Sequence, residues 1–230
     1  MSLLRFKMAK VPLFPRASLL VFVLFGLVDI ALIEMFFLSF FIDISDRFRL
    51  GWDRGYPEMF NFFKWAVIII LCATYFVRWK NPLFLGLGGS ALVLLIDDSM
   101  QIHERLPVLL LDVSGLRALD LPGDHMALSI LVFGVDGLIC AALIAASLRL
   151  PGSGSPLPSA VILRGTATII VVIAGFGIGV DALHGIVGKL LPDFSLPFLF
   201  LEEGGEMIAI TYLMSYFALF LRHDRLGNPP

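Results

Sequence analysis

Six long apolar runs decide what this chain can fold into. They cover residues 17–42, 60–79, 82–103, 125–148, 161–188 and 197–221. A run of about 20 apolar residues is enough for a helix to cross the hydrocarbon core of a bilayer, and inside lipid a helix satisfies its own backbone hydrogen bonds. Since 58% of all residues are hydrophobic, the sequence predicts an all-α integral membrane protein. We expect a six-transmembrane-helix bundle that forms one domain over residues 1–230.

Basic residues fall on one side of the six predicted spans. They precede the first span, occupy alternate loops and follow the last span: Arg5, Lys7, Lys10, Arg16, Arg78, Lys80, Arg149, Arg164, Arg222 and Arg225. The loops on the opposite side hold most of the acids that lie outside the spans. Because loops rich in Lys and Arg remain in the cytoplasm, we expect both termini to be cytoplasmic.

A Pro/Gly/Ser-rich stretch divides the chain into two three-span halves. The sequence "PGSGSPLPS", residues 151–159, is predicted to be a flexible cytoplasmic linker. The halves resemble each other around Asp29 ("FGLVDIAL") and Asp136 ("FGVDGLI"). An inverted repeat, as found in many transporters, would explain the match, and so would chance similarity between two apolar segments. On the outer side, residues 104–124 alternate leucines with charges and are predicted to form a short interfacial helix.

Nine acidic residues lie within the predicted spans. They are Asp29, Glu34, Asp97, Asp98, Asp136, Asp181, Glu202, Glu203 and Glu206. An acid at the centre of a membrane helix costs about 3 kcal/mol even on a lenient insertion scale. The spans offer no interior Lys or Arg as a partner, because Lys64 is expected at a span edge. The acids must therefore be protonated, bonded to one another or neutralised by bound cations.

Helical spacing brings some of these acids onto shared faces. Asp181 and His184 are three residues apart, and so are Glu203 and Glu206, so each pair projects in one direction. Asp29 and Asp136, nearer the middle of the membrane, are expected to form hydrogen bonds between helices instead of binding a ligand.

The third span raises a question of geometry. Asp97, Gln101 and Glu104 share one stripe of a regular helix, whereas His103 points about 120° away from Asp97. His103 joins the same site only if the helix loosens before Pro107.

Carboxylate and imidazole groups on facing helices are the usual ligands of iron, manganese and zinc. The sequence therefore predicts a divalent metal site in the outer half of the bilayer. Its candidate ligands are Asp98, His103, Asp181, His184, Glu203 and Glu206. Glu104, as an acid that does not bind the metal, is the candidate catalytic proton carrier. The other two interpretations are acids that share protons in a purely structural role and a pathway for protons or cations.

Two motifs resemble those of a broad group of uncharacterised bacterial multi-pass membrane proteins. "DDSMQIHE", residues 97–104, matches an acidic pair, three residues, an aliphatic residue and His-Glu, and "EEGGEM", residues 202–207, matches Glu-Glu-x-x-Glu-Met. The resemblance implies a location in the bacterial inner membrane and brings no established activity. The chain resembles the membrane hydrolases related to alkaline ceramidase more loosely. It lacks their His-x-x-x-His pair, so their chemistry is not carried over.

Three functions compete on these observations. The leading prediction is a membrane-embedded metalloenzyme that acts on a lipid or another apolar substrate. The second is an accessory subunit of a larger membrane complex, in which the acids are structural. The third is a proton- or cation-coupled transporter with its site between the two halves. The expected partner is the lipid bilayer in every case, and no nucleic-acid partner is expected.

Overall fold

Helices account for the regular structure in the computed structural model, which describes residues 16–114, 124–152, 158–184 and 195–223. In chain order they are α1 (Arg16–Leu38), α2 (Tyr56–Trp79), α3 (Leu83–Met100), α4 (Ile102–Ser114), α5 (Asp124–Leu148), α6 (Ser159–Ala174), α7 (Ser195–Leu199), α8 (Gly205–Ala218) and α9 (Phe220–His223). A 3-10 turn (Asp46–Phe48) lies between α1 and α2. The all-α prediction is therefore confirmed for the described residues, which contain no strand.

In the part of the chain that the structure describes, five helical segments are long and apolar enough to cross a membrane. They are Ser18–Leu38, Tyr56–Trp79, Leu83–Met100, Ala127–Leu148 and Ser159–His184. Their outward surfaces carry many exposed leucine, isoleucine, valine and phenylalanine side chains, as expected for helices that contact lipid. These segments correspond to the first five predicted spans and indicate a membrane protein.

The sixth predicted span, residues 197–221, differs from the other five. Short α7 passes through a π-helical segment (Phe200–Gly204) into α8, and that segment carries Glu202 and Glu203. A second π-helical segment (Gly175–Val180) follows α6. Because the last run contains three glutamates, it is not a sixth long apolar segment of the same kind, and the count of six is not confirmed.

Proline and a left-handed residue fix the ends of α2 and the start of α3. Pro57 lies in the first turn of α2, where its missing N–H leaves no intrahelical bond unmade. Lys80, with φ 52°, ends α2 in the left-handed conformation and donates its N–H to the Phe76 carbonyl. Pro82 then precedes α3. This tight connection makes α2 and α3 direct neighbours in the bundle.

The last long helix lies at the centre of the bundle. α8 packs against α1, α2 and α6, while α3 packs between α2 and α5. The main core cluster contains Trp65, Ile68, Cys72 and Tyr75 of α2, Phe84 and Leu87 of α3, Ile162, Ile169 and Ile173 of α6, and Ile210, Leu213, Met214 and Phe217 of α8. The glutamates at the start of α8 are therefore held in the interior.

Three sequence predictions lie wholly or partly outside the described residues. Residues 104–114 of the stretch predicted as an interfacial helix are helical and belong to α4, and residues 115–123 are not described. Residues 153–157 of the predicted linker and residues 185–188 of the fifth predicted span are likewise outside the described ranges.

Candidate metal centre

A sharp corner between α3 and α4 creates the site. Gln101 adopts φ 54°, ψ 44° and ends α3, with its N–H directed to the carbonyls of Asp97 and Asp98. Few residues other than glycine adopt this left-handed conformation, and it interrupts a right-handed helix. The chain starts a new helix at Ile102. The break lies at Gln101, six residues before Pro107. The sequence analysis had required such a loosening before Pro107 for His103 to join the site.

The corner brings His103 back onto Asp97. Asp97 is 3% exposed, and its Oδ1 accepts the His103 backbone N–H at 3.0 Å. Its Oδ2 lies 2.6 Å from His103 Nδ1. The imidazole stacks on the Phe133 ring of α5 with centroids 4.5 Å apart. A carboxylate that binds one ring nitrogen fixes the ring and directs the other nitrogen outward, as in many metal-binding histidines.

Asp98 completes the group. Trp65 Nε1 donates a hydrogen bond of 3.2 Å to Asp98 Oδ2, which fixes the carboxylate against α2. Asp97, Asp98 and His103 each offer a ligand atom, and these atoms all lie within 4.8 Å of one another. Two carboxylates and an imidazole suit iron, manganese or zinc.

The electrostatic environment of His103 favours a cation. Burial by itself lowers the pKa of the imidazole. The hydrogen bond to Asp97 and the negative charges of Asp97, Asp98 and Glu104 act more strongly in the opposite direction, so the pKa of His103 is raised. The same negative charges that stabilise an imidazolium would attract a metal ion.

The group lies on the wall of a large cavity of about 1600 Å³. At the end beside the loop before α2 and the start of α4, the lining includes Arg49, Asp53, Glu58, Glu104 and Arg105. Its deeper part is mainly apolar and includes Leu87, Ala91, Ile144, Leu163, Ile170, Ile173, Leu213 and Phe217. The cavity therefore joins a charged end to an apolar interior, which is typical of sites that bind an amphiphilic or apolar molecule.

The five other site residues predicted from the sequence divide between the cavity and a separate hydrogen-bonded group. Glu104, Asp181, Glu203 and Glu206 line the same cavity as Asp98 and His103. His184 does not line it: its Nδ1 lies 3.1 Å from Glu202 Oε2, and its Nε2 lies 2.8 Å from Ser195 Oγ. Both ring nitrogens of His184 are therefore engaged by side chains of the segment that follows.

Sequence reasoning missed Asp97 as a member of the group. On a regular helix Asp97 and His103 point apart, and only the left-handed Gln101 brings them together. Neither glycine nor proline marks that position in the sequence. Trp65, the partner of Asp98, was also missed as part of the site.

The expectation that Lys64 lies at a span edge is wrong. Because α2 begins at Tyr56 and not near residue 60, Lys64 lies more than two turns inside the helix. Its side chain is fully buried. Lys64 Nζ is 2.9 Å from Asp29 Oδ1 and donates to the Met207 carbonyl at 2.8 Å. Thr211 Oγ1 donates to Asp29 Oδ2 at 2.6 Å. The predicted helix-to-helix bonding of Asp29 is thus confirmed.

Three residues that line the cavity each carry a buried polar atom without a partner. Among the described residues, the buried side-chain atoms without a hydrogen-bond partner are Asn61 Oδ1, Asp136 Oδ2 and Thr166 Oγ1. All three residues line the cavity, and Asn61 and Thr166 are each 7% exposed. Buried polar groups in proteins are almost always satisfied, and for these three atoms no described residue of the chain supplies the partner. The predicted interhelical bond of Asp136 is not observed for Oδ2.

Comparison with known proteins gives a family and no established activity. No curated protein and no solved structure matches the chain. A family model described as a domain of unknown function, DUF8692, matches residues 17–220, which include all the long helices and every residue of the cavity. The chain therefore belongs to the DUF8692 family.

Proposed function

We propose that this protein is a membrane-embedded metalloenzyme that acts on a lipid or another apolar substrate. The observation that carries the proposal is the convergence of Asp97, Asp98 and His103 within 4.8 Å on the wall of a cavity with an apolar interior. A divalent cation at this group would supply a Lewis acid or an activated water. Iron, manganese and zinc all fit the carboxylate and imidazole ligands.

The shape of the cavity supports an apolar substrate. Charged residues gather at one end of the cavity, and leucine, isoleucine and phenylalanine line the rest. A molecule with a polar end and an apolar chain would place its polar end at the metal group and its chain among the apolar side chains. Burial of each CH₂ group is favourable by about 0.8 kcal/mol, so a long chain would bind well.

Glu104 is the candidate proton carrier. Its side chain is 56% exposed, and its Oε1 lies 3.7 Å from His103 Nε2. An acid that adjoins the metal group and also contacts solvent is suited to exchange protons between the substrate and water. Asp181, His184, Glu203 and Glu206 remain candidate ligands from the sequence, and three of these four line the cavity.

A lipid-turnover assay tests this function. The full-length protein in mixed micelles with a total lipid extract and zinc, manganese or iron should form new lipid products detectable by mass spectrometry. His103→Ala should form none. Glu104→Gln should retain the metal but lose turnover, because only the proton carrier is changed. Asp43→Asn, an exposed site that does not line the cavity, is the matched control. Equal product formation by wild type and His103→Ala would refute a metal-dependent reaction.

The proposed location of the protein is a bacterial inner membrane, with both termini in the cytoplasm and the metal group in the outer half of the bilayer. Its support is the distribution of Lys and Arg along the chain. A reporter fused after Pro230 should be cytoplasmic, and one inserted at Gly115 should be external. The reverse result would place the metal group on the cytoplasmic side.

A proton- or cation-coupled transporter is the second candidate. The extent of the cavity supports a transporter. The residues that line the cavity range from Asp53, before α2, to Thr166, in the second turn of α6. Residues at the outer and inner parts of the bundle therefore line one continuous space. Ion or proton flux into proteoliposomes that contain the protein would favour this candidate. Lipid turnover without flux would favour the enzyme.

A further inference from the structure

We propose that Ser195, His184 and Glu202 form a second catalytic group, in which Ser195 is the nucleophile for acyl transfer from a thioester. The three side chains have the geometry of a catalytic triad: His184 Nε2 lies 2.8 Å from Ser195 Oγ, and His184 Nδ1 lies 3.1 Å from Glu202 Oε2. This group needs no metal, and in this role His184 is a base and not a metal ligand. The inference therefore goes beyond the proposed function and does not rest on it.

The three side chains stand in the order that acyl transfer requires. A serine hydroxyl is a weak nucleophile, and a base within about 2.6–3.2 Å activates it by accepting its proton. A carboxylate on the other ring nitrogen holds the imidazole in the tautomer with its proton on Nδ1 and stabilises the imidazolium that forms. Because Glu202 accepts from Nδ1, His184 Nε2 is left to accept the proton of Ser195.

Helical spacing brings Ser195 and Glu202 onto one side of the last helical run. They are seven residues apart, which is about two turns of a helix. His184, the last residue of the helical segment Ser159–His184, lies between them. The Phe198 ring lies nearly parallel to the imidazole, with centroids 6.4 Å apart and an angle of 11° between the planes. The imidazole is therefore positioned by an aromatic ring and by an oxygen at each nitrogen.

The group can be reached from an apolar surface. The side chains of His184 and Glu202 are 22% and 16% exposed, and Ser195 is half-buried. Each of the three residues has an exposed leucine beside it in the chain: Leu183, Leu196 and Leu201. Exposed leucines on a membrane protein contact lipid, so a substrate with an acyl chain can approach Ser195 through apolar surroundings.

The composition of the group favours a thioester. Its side chains supply a nucleophile, a base and a carboxylate, and none of them is a donor for the carbonyl oxygen under attack. Removing one such donor costs about 10²–10³ in kcat in enzymes that have it, so this group is suited to a leaving group that departs easily. A thiolate is such a group, because the pKa of a thiol is about 8.5, whereas that of water is about 15.7.

The reaction balances with a thioester and water. Ser195 Oγ attacks the carbonyl carbon and gives its proton to His184 Nε2. The carbon–sulfur bond breaks, and the sulfur leaves as a thiol with that proton. Water then attacks the ester on Ser195, one of its protons passes through His184 to Oγ, and a carboxylic acid is released. Because an alkoxide leaves less easily than a thiolate, the second step is slower and the acylated protein accumulates.

Incubation of the full-length protein in mild detergent with a dodecanoyl thioester, followed by mass spectrometry, tests the inference. Wild type should gain about one dodecanoyl group per chain, as expected when an acyl intermediate accumulates, and peptide mapping should locate it on Ser195. The ester on Ser195 should resist neutral hydroxylamine, which would release an acyl group from Cys140. A preparation treated with a chelator should be acylated at the same rate.

Variants test each member of the group. Ser195→Ala should carry no acyl group, and His184→Ala should be acylated about 10²–10⁴-fold more slowly. Glu202→Gln should also be slower, while Glu202→Asp, which keeps the carboxylate, should recover part of the rate. Ser39→Ala is the matched control, because Ser39 is also half-buried and its Oγ donates to the Phe36 carbonyl. It should be acylated like wild type.

The outcomes separate this inference from the proposed function. A wild type without an acyl group on Ser195, or a His184→Ala variant acylated at the wild-type rate, overturns the triad and leaves the metal group unaffected. Acylation that stops with a chelator also overturns the triad. A wild type that binds no metal but is acylated on Ser195 supports the triad and overturns the proposed function. The lipid-turnover assay supplies no thioester, so its result concerns the metal group alone.

Discussion

Asp29 and the acids of the cavity lie inside the same bundle, and they differ in the charges that surround them. At the buried ion pair, Asp29 is bonded to Lys64 and Thr211, and both charged side chains are completely inaccessible. At the acidic cavity, Asp97, Asp98, Glu203 and Glu206 line a space of about 1600 Å³. Asp29 has a counter-charge, whereas Glu203 and Glu206 lie mainly among the negative charges of other acids.

Under the proposed function, the difference separates a structural role from a binding role. A buried charge is tolerated when an opposite charge and hydrogen bonds compensate for lost hydration. Asp29 has this compensation, so it needs nothing that the chain does not contain. Glu203 and Glu206 lie within range of other negative charges of the cavity, and Asn61, whose Oδ1 accepts no hydrogen bond, lines the same cavity. The number of acids in a span therefore says less about function than the partners that each acid finds.

The largest expected effect is at the buried ion pair. Lys64→Met should lower the free energy of unfolding by about 3–5 kcal/mol, because it leaves Asp29 buried without its counter-charge. Thermal or denaturant unfolding in detergent measures the loss. The double variant Asp29→Leu/Lys64→Met is the control and should recover most of it, since no unpaired charge remains. A single variant as stable as wild type would show that the pair is not structural.

In the absence of metal, a substitution at the cavity should not lower the free energy of unfolding, in contrast to Lys64→Met. Glu206→Gln removes one of several repelling carboxylates, so the metal-free variant should be at least as stable as metal-free wild type. Added metal should stabilise wild type by about 2.7 kcal/mol at a concentration 100 times the Kd, and should stabilise the variant less. Unfolding curves with and without metal give both values. A metal-free Glu206→Gln that unfolds as easily as Lys64→Met would remove the distinction between the two groups.

The next effect concerns the close contact between the start of α8 and the π-helical segment that follows α6. A Cβ at Gly205 would lie 2.4 Å from the Phe176 ring, whereas a Cβ at Gly134 would meet nothing within 4 Å. Gly205→Ala should therefore cost about 1–3 kcal/mol by overpacking and should weaken metal binding by displacing Glu203 and Glu206. Gly134→Ala should be neutral or slightly stabilising. Equal behaviour of the two variants in unfolding and metal titration would contradict the packing described for α6 and α8.

The smallest expected effect is at the α3–α4 corner. Gln101→Ile should cost about 1–2 kcal/mol, because a β-branched residue fits the left-handed conformation poorly. It should also weaken metal binding, since the corner aligns His103 with Asp97. Gln101→Asn tolerates the same conformation and should bind metal normally. Unchanged metal affinity in Gln101→Ile would show that the corner does not hold the site together.

The helices were largely predictable from the sequence, because apolar length alone determines them. The second predicted span began near residue 60, and α2 begins at Tyr56. That shift of one turn was enough to misplace Lys64, because Pro57 and Glu58 interrupt the apolar pattern in the first turn of α2. The last span was predicted as one helix, since hydropathy does not reveal a π-helical segment that places Glu202 and Glu203.

The site was predictable in its residue types and not in its geometry. The sequence identified Asp98 and His103 as candidate ligands, and the structure brings them together. Nothing in the sequence indicated that Gln101 would end the helix, so Asp97 was expected on a different helix face from His103. Asn61 carried no signal either, because an isolated asparagine near a span end is most often solvated. Its importance depends on an unsatisfied oxygen, which only the folded structure shows.

The most direct test of the account is the metal content of the full-length protein, purified in mild detergent without any chelator. The account predicts at least one bound divalent transition-metal ion per chain by elemental analysis. His103→Ala should lose that ion, while the buried ion pair at Asp29 and Lys64 keeps the variant folded. A wild type that contains no metal and gains no heat stability from added zinc, manganese or iron would contradict the account, since the cavity acids would then be held by shared protons.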